Sequence, residues 1–397
     1  MQLWRCHSLI EMRAAQIEDP VERLRYLREA VNQPSSKAAR VFARARSSEF
    51  WKTRGSWMML SLICFSLSLV AWRPGHTTVK AGARGPIQSR ISAGPVATAQ
   101  KPATVWLVET RDGFENYSNG LRVDTKYAVS NEPREKYPVY GYGKSDSGIT
   151  DWKTAPAGIV YHTTESHLAP FEPGENRHLV RIGTAVLDYV KQNRFYHFVI
   201  DRFGRVFRIV KETDVANHAG MSVWGDEKGT YVNLNTSFLG VSFESAQTPG
   251  EDTPAATPAQ IHAGRVLTEM LRSKYGIPAA NCVTHAQVSV NPSNMLIGWH
   301  TDWAGIFPFA EMGLPDNYAA PPASLYVFGF GYDGNYVRIT GSHVSQALLV
   351  AEDRMRRQAA ASRMPLPKYK ASLQQRYREI TAALKSKSPG KEKGDEI

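Results

Sequence analysis

Between Gly158 and Thr284, short apolar runs alternate with longer stretches of helical period, and that alternation admits few folds. GIVYHTT (158–164) is apolar on both faces up to its histidine, which predicts a strand buried on both sides of a sheet. HLVRIGTAVLDYVKQN (178–193) has the spacing of an amphipathic helix. FYHFVIDRFGRVFRIV (195–210) reads as a hairpin about Phe203-Gly204, and SFLGVSFES (237–245) as another strand. TPAQIHAGRVLTEMLRSKYG (257–276) predicts a helix with Thr257 as its cap, Pro258 in its first turn and Gly276 as its stop. A short strand, Cys282-Val283-Thr284, follows. The expected fold class is α/β, a mixed central β-sheet flanked by helices.

The rest of the 397 residues divides around this block. Ser56–Trp72 (SWMMLSLICFSLSLVAW) has no charge, carries Trp57 and Trp72 near its ends and is flanked by Arg54 and Arg73. A run of about 17 apolar residues is the lower limit for a transmembrane helix, and the indoles suit the two interfaces. A cleaved signal peptide fits less well, because 55 residues precede the run and no small-residue cleavage pattern follows it. Six Lys or Arg lie in the twenty residues before the run and four in the twenty after. That bias places residues 1–55, a basic and amphipathic segment, in the cytoplasm. Residues 73–103, rich in Gly, Ala, Pro, Ser and Thr, read as a flexible tether. The expected arrangement is a membrane crossed once, with everything beyond the tether outside the cytoplasm.

TVWLVE, GLRVDTKYAVS and YPVYGY read as leader strands, so the main domain is expected to cover 104–320. In 321–387 a strand-like LYVFGFGY precedes two helical stretches, and 388–397 reads as a disordered tail. The basic residues behind the net charge of +11 concentrate in the first 55 residues and towards the C-terminal end, without any finger, helix-turn-helix or aromatic RNA-binding pattern, so no nucleic-acid partner is expected. The three cysteines, Cys6, Cys64 and Cys282, form no CxxC pair. Any zinc site here must therefore use histidine and carboxylate ligands. Serine or cysteine nucleophile chemistry finds no motif, and neither does a phosphate-binding loop.

His162 ends the first buried strand and His285 follows Cys282–Thr284, so both fall at strand ends. His300 and Asp302 lie two apart in GWHTDWAGIFPF, where an extended stretch directs both to one side. Two histidines and a carboxylate leave a fourth tetrahedral position open, as catalytic zinc requires. A third ligand role for His300, with Asp302 behind it, is the alternative reading of that pair.

Residues 158–309 resemble the zinc-dependent N-acetylmuramoyl-L-alanine amidases of the type shared with the peptidoglycan recognition proteins. The likeness rests on GIVYHTTE, FYHFVIDRFGRVFRIV, VANHAG, NTSFLGVSFES, and THAQVS with HTDWAGIFPF, in that order. It implies Zn2+ held by His162, His285 and Asp302, and Tyr196, His300 and Glu244 in catalytic positions. It also implies His218, Thr163 and Trp303 along the substrate groove, and peptidoglycan or a muropeptide as substrate. The pattern is broken by Asn217 in place of a tryptophan, His300 in place of a lysine, Trp303-Ala304 in place of Pro-Gly, and Ser242 in place of a glutamate. Members that lose a ligand become non-catalytic peptidoglycan binders, so a membrane-anchored binding module is the rival expectation. The C-terminal helices are expected to bind wall or a protein partner, or simply to pack.

Overall fold

The computed structural model describes residues 103–142, 148–246, 256–341 and 343–386. The expected cytoplasmic segment 1–55, the transmembrane run 56–72, nearly all of the tether and the tail 388–397 lie outside the described residues. Among the described residues no helix is long and apolar enough to cross a membrane.

Fourteen strands occur in this region: β1 Leu107–Arg111, β2 Phe114–Tyr117, β3 Arg122–Asp124, β4 Tyr137–Tyr140, β5 Ile149–Lys153, β6 Gly158–Thr163 and β7 Phe198–Ile200; then β8 Val206–Arg208, β9 Val223–Asp226, β10 Gly229–Val232, β11 Phe238–Phe243, β12 Cys282–Thr284, β13 Val290–Asn291 and β14 Leu296–Ile297. Eight of them form one mixed sheet in the order β1-β2-β3-β8-β7-β11-β6-β12. Its centre, β7-β11-β6-β12, is parallel throughout. β6 and β11 are buried at every residue, as parallel strands covered on both faces must be. The helix Asn176–Asn193 presents Leu179, Gly183, Leu187 and Val190 to the interior. The helix Pro258–Tyr275 starts at Thr257, whose hydroxyl accepts from the Gln260 N–H while the Gln260 side chain bonds the Thr257 N–H, a full capping box.

The leader strands join the sheet through β3, which pairs in parallel with β8. A buried charge cluster reinforces that junction. The Arg208 guanidinium on β8 donates to Glu115 on β2 at 2.7 Å and to Glu212 at 3.2 Å, and Lys274 lies 3.2 Å from Glu212. Burial alone raises both carboxyls, but Arg208, joined at Glu212 by Lys274, outweighs it and holds both below the ordinary 4.5.

Two expectations need correction. LYVFGFGY is not a strand: Ala323–Phe328 is a helix, entered after Pro322 and closed by Gly329 in the left-handed region. Every residue of it is buried, so no helical period survives to be read. YPVYGY does form β4, but in a second antiparallel sheet, β5-β4-β10-β9, whose β9–β10 hairpin the sequence did not suggest. Its turn is set by Asp226 Oδ1, which accepts from the N–H groups of Lys228 and Gly229. The helices His343–Ala361 and Leu366–Ser386 follow, and Phe328, Phe330 and Tyr377 join the same core cluster as β6 and β11. Tyr377 also donates to the Met221 carbonyl at 3.0 Å.

Arg208→Ala leaves the buried Glu212 with Lys274 as its remaining cation and is expected to cost about 3 kcal/mol in chemical denaturation. Because both carboxyls are depressed, the cluster contributes fully above the ordinary 4.5 and its contribution is lost as pH falls below it. The gap in stability between wild type and Arg208→Ala should therefore shrink on acidification; a gap constant from pH 7 to pH 3 contradicts this.

Candidate metal centre and cleft

The carboxyl ends of parallel strands are where an open α/β sheet exposes side chains to ligands. β6 and β12 run in parallel with Thr284 beside Tyr161, so the next residue of each strand's path, His162 and His285, emerges at the same edge. The third donor arrives on the loop after β14. Ser289 anchors that loop: its carbonyl accepts from the Gly298 N–H at 2.9 Å and its hydroxyl oxygen from the His300 N–H at 3.0 Å. On the far side Trp303 is sunk into the core against Phe243 and Phe307. Tyr318 donates to the Trp303 carbonyl at 2.9 Å and shares a 2.7 Å hydrogen bond with the Thr284 hydroxyl. One buried phenol thus ties the strand leading to His285 to the loop leaving Asp302. This segment is a series of turns rather than the extended stretch the sequence suggested, with Trp303 at φ 64° and Gly305 at φ 74°.

Three donors converge as a result. His162 Nδ1 lies 3.4 Å from Asp302 Oδ2, and His285 Nδ1 lies 3.1 Å from Asp302 Oδ1. One ligand atom from each of the three residues falls within 4.8 Å of the others. Donors about 2.0–2.2 Å from a tetrahedral zinc lie roughly 3.3–3.6 Å apart, so this set fits one divalent ion. Electrostatics agree. Burial, and then the neighbouring His285, push His162 down to about 4, which leaves its imidazole neutral as a ligand must be. Burial raises the Asp302 carboxyl, but His285 and the hydrogen bonds from both histidines outweigh it and hold it ionised, well below the usual carboxylate range.

The donors floor a cleft of about 440 Å³. Thr163, Tyr196, His218 and His300 line it. His300 stacks on His285 with ring centroids 4.5 Å apart, outside the three-residue cluster, and burial followed by His285 lowers it to about 4. Tyr196 sits at φ 57° with its ring 5.0 Å from that of His162. Burial and the charge of Asp302 raise its phenol above the ordinary value, so it stays an O–H donor. The Thr163 hydroxyl donates to Glu165.

Two expected site residues lie elsewhere. Trp303 is 1% exposed in the core and does not wall the cleft, whereas Trp299, 56% exposed, does. Glu244 lies outside the cleft lining: it accepts from the Arg202 N–H and packs beside Gly183, where a Cβ would meet it at 3.5 Å. β11 ends at Phe243, so strand alternation no longer governs the direction of Glu244. The sequence reading missed Trp299 and also Glu165, an exposed residue at φ 46° on the cleft wall; the acidic residue three places after His162 was its only visible signal.

Residues 152–302 match the model of the N-acetylmuramoyl-L-alanine amidase family. The chain carries an amidase domain of that family. It is an N-acetylmuramoyl-L-alanine amidase in class, a hydrolase of peptidoglycan. Among solved structures the amidase domain is similar to LysC from Clostridium intestinale, at 20% identity over 47% of this chain and 95% of that one, TM-score 0.25. It is also similar to AmpDh3 from Pseudomonas aeruginosa in complex with anhydromuramic pentapeptide, at 18% identity over 49% and 90%, TM-score 0.34. AmiD from E. coli, in complex with anhydro-N-acetylmuramic acid-L-Ala-D-gamma-Glu-L-Lys, matches at 18% identity over 61% and 98%, TM-score 0.34. No curated protein sequence matches the chain.

His162→Ala and Asp302→Ala in the amidase domain should each lose bound zinc in elemental analysis, while His300→Ala retains it. A full complement in either of the first two rejects the ligand set, and loss in the third makes His300 a ligand.

Proposed function

We propose that the chain is a zinc-dependent, membrane-tethered amidase that cleaves the bond between the lactyl carboxyl of N-acetylmuramic acid and L-alanine. The observation that carries this reading is the convergence of His162, His285 and Asp302 at the floor of an open cleft. A zinc ion held by these three supplies Lewis acidity, acidifying water and polarising the scissile carbonyl.

The remaining work falls to the chain's own side chains. His300 is neutral at physiological pH, so an imidazole N–H is available to the developing oxyanion without a charge that would repel the metal. Tyr196 keeps its proton and offers an O–H donor beside His162, suited to holding the attacking water in line. The water itself supplies the proton that the departing amine gains. Trp299 offers an exposed indole face at the rim, of the kind that covers the apolar face of a sugar or peptide.

Residues 56–72 serve as the anchor and 73–103 as the tether, which puts the amidase domain in the periplasm beside its polymeric substrate. The apolar span and its flanking basic residues support that placement. The C-terminal helices, joined to the core through Tyr377, act first as packing for the second sheet.

Purified sacculi incubated with the protein should release stem peptides with a free L-alanine amino terminus, identified by mass spectrometry. His300→Ala should slow that release by about 10²–10³-fold. Retention of the protein on sacculi with no peptide released would favour a binding module instead. A reporter enzyme that works only outside the cytoplasm, fused after residue 90, should be active, and activity of a cytoplasm-only reporter there would reverse the topology.

A further inference from the structure

A metal-bound imidazole needs an acceptor for its second nitrogen, and the structure supplies one that the cleft chemistry does not use. His162 faces Asp302 through Nδ1 and places Nε2 3.2 Å from Nδ1 of His218. His218 in turn aims Nε2 at the Phe238 carbonyl, 3.4 Å away. A carbonyl only accepts, so the proton of a neutral His218 belongs on Nε2 and its Nδ1 is left bare. A bare Nδ1 accepts, and the proton on His162 then belongs on Nε2, which frees Nδ1 for a metal.

The ring of His218 is held from three sides. Asn235 Oδ1 accepts from the N–H groups of His218, Ala219 and Gly220 at 2.9, 2.7 and 2.9 Å, clamping the backbone that carries it. Gly240 on β11 gives the ring its resting place, since a Cβ there would lie 2.7 Å from His218 Cγ. Phe238, on the same strand, fixes its outer nitrogen. Although His218 lines the cleft, only 8% of the residue is exposed.

We propose that His218 is a positioning residue: by accepting from His162 Nε2 and donating to the Phe238 carbonyl, it fixes the tautomer and ring direction that present His162 Nδ1 to the metal. This rests on the zinc reading above and deepens it. It also accounts for the HAG segment, Asn235 and Gly240 as one support.

The test is zinc affinity of the full chain, measured by competition with a chromogenic chelator, for wild type, His218→Leu and His218→Asn. Asparagine places Oδ1 where Nδ1 stood and keeps the acceptor; leucine removes it. The leucine variant should bind zinc about 10–100-fold more weakly, and asparagine should recover most of that loss. Wild-type affinity in His218→Leu, or equal weakness in both variants, overturns the positioning role alone. Absence of zinc binding by the wild type overturns the metal reading beneath it. Should the leucine variant fail to fold, nitrogen-15 NMR of the zinc-loaded wild type decides. A protonated Nε2 on His162 supports the proposal, and a zinc-bound Nε2 refutes it.

Discussion

The site depends on one buried carboxylate set between two imidazoles. Asp302 is 9% exposed, and its two oxygens each face the Nδ1 of a different histidine. Burying an ionised carboxylate is costly unless its partners are fixed before the charge arrives. Most of the surrounding architecture fixes them: parallel pairing of β6 with β12 aligns the two histidines, and Tyr318 ties the Asp302 loop to β12. Trp303 then acts as a peg in the core, so the adjoining Asp302 at the cleft floor has little freedom to swing away.

Burial decreases outward from that point. The donors, His218, Tyr196 and Thr163 are buried, His300 is partly open, and Trp299 and Glu165 face solvent. The gradient matches the chemistry, because a metal centre tolerates little displacement whereas a polymeric substrate must enter from outside. A second cavity of about 460 Å³ lies between β4, β5 and the helices Ala323–Phe328 and Leu366–Ser386. It is lined largely by aromatic and aliphatic side chains and has no histidine or aspartate, so it offers no comparable donor set.

Sequence made the centre of the fold legible because its strands are buried on both faces. Continuous apolar runs such as 158–164 leave no other assignment, and the Thr257-Pro258 start of the helix carries its own chemistry. The three donors were legible through motif order, since His162 and His285 fall at strand ends. What stayed hidden follows from places where periodicity has no meaning. Ala323–Phe328 is buried on all sides and shows no helical stripe. The β9–β10 hairpin is two strands of four residues, two of whose eight positions are glycine. Trp299 and Trp303 sit in irregular turns, where no alternation rule tells which indole faces water. Glu244 lies one residue beyond its strand, where the rule that placed it in the cleft lapses.

The claim that three distant side chains share one ion is tested most directly by anomalous diffraction at the zinc edge from crystals of the amidase. A single peak about 2.0–2.2 Å from His162 Nδ1, His285 Nδ1 and an Asp302 oxygen is the expected result. A zinc peak elsewhere, or none between these residues in crystals grown with saturating zinc, would contradict it.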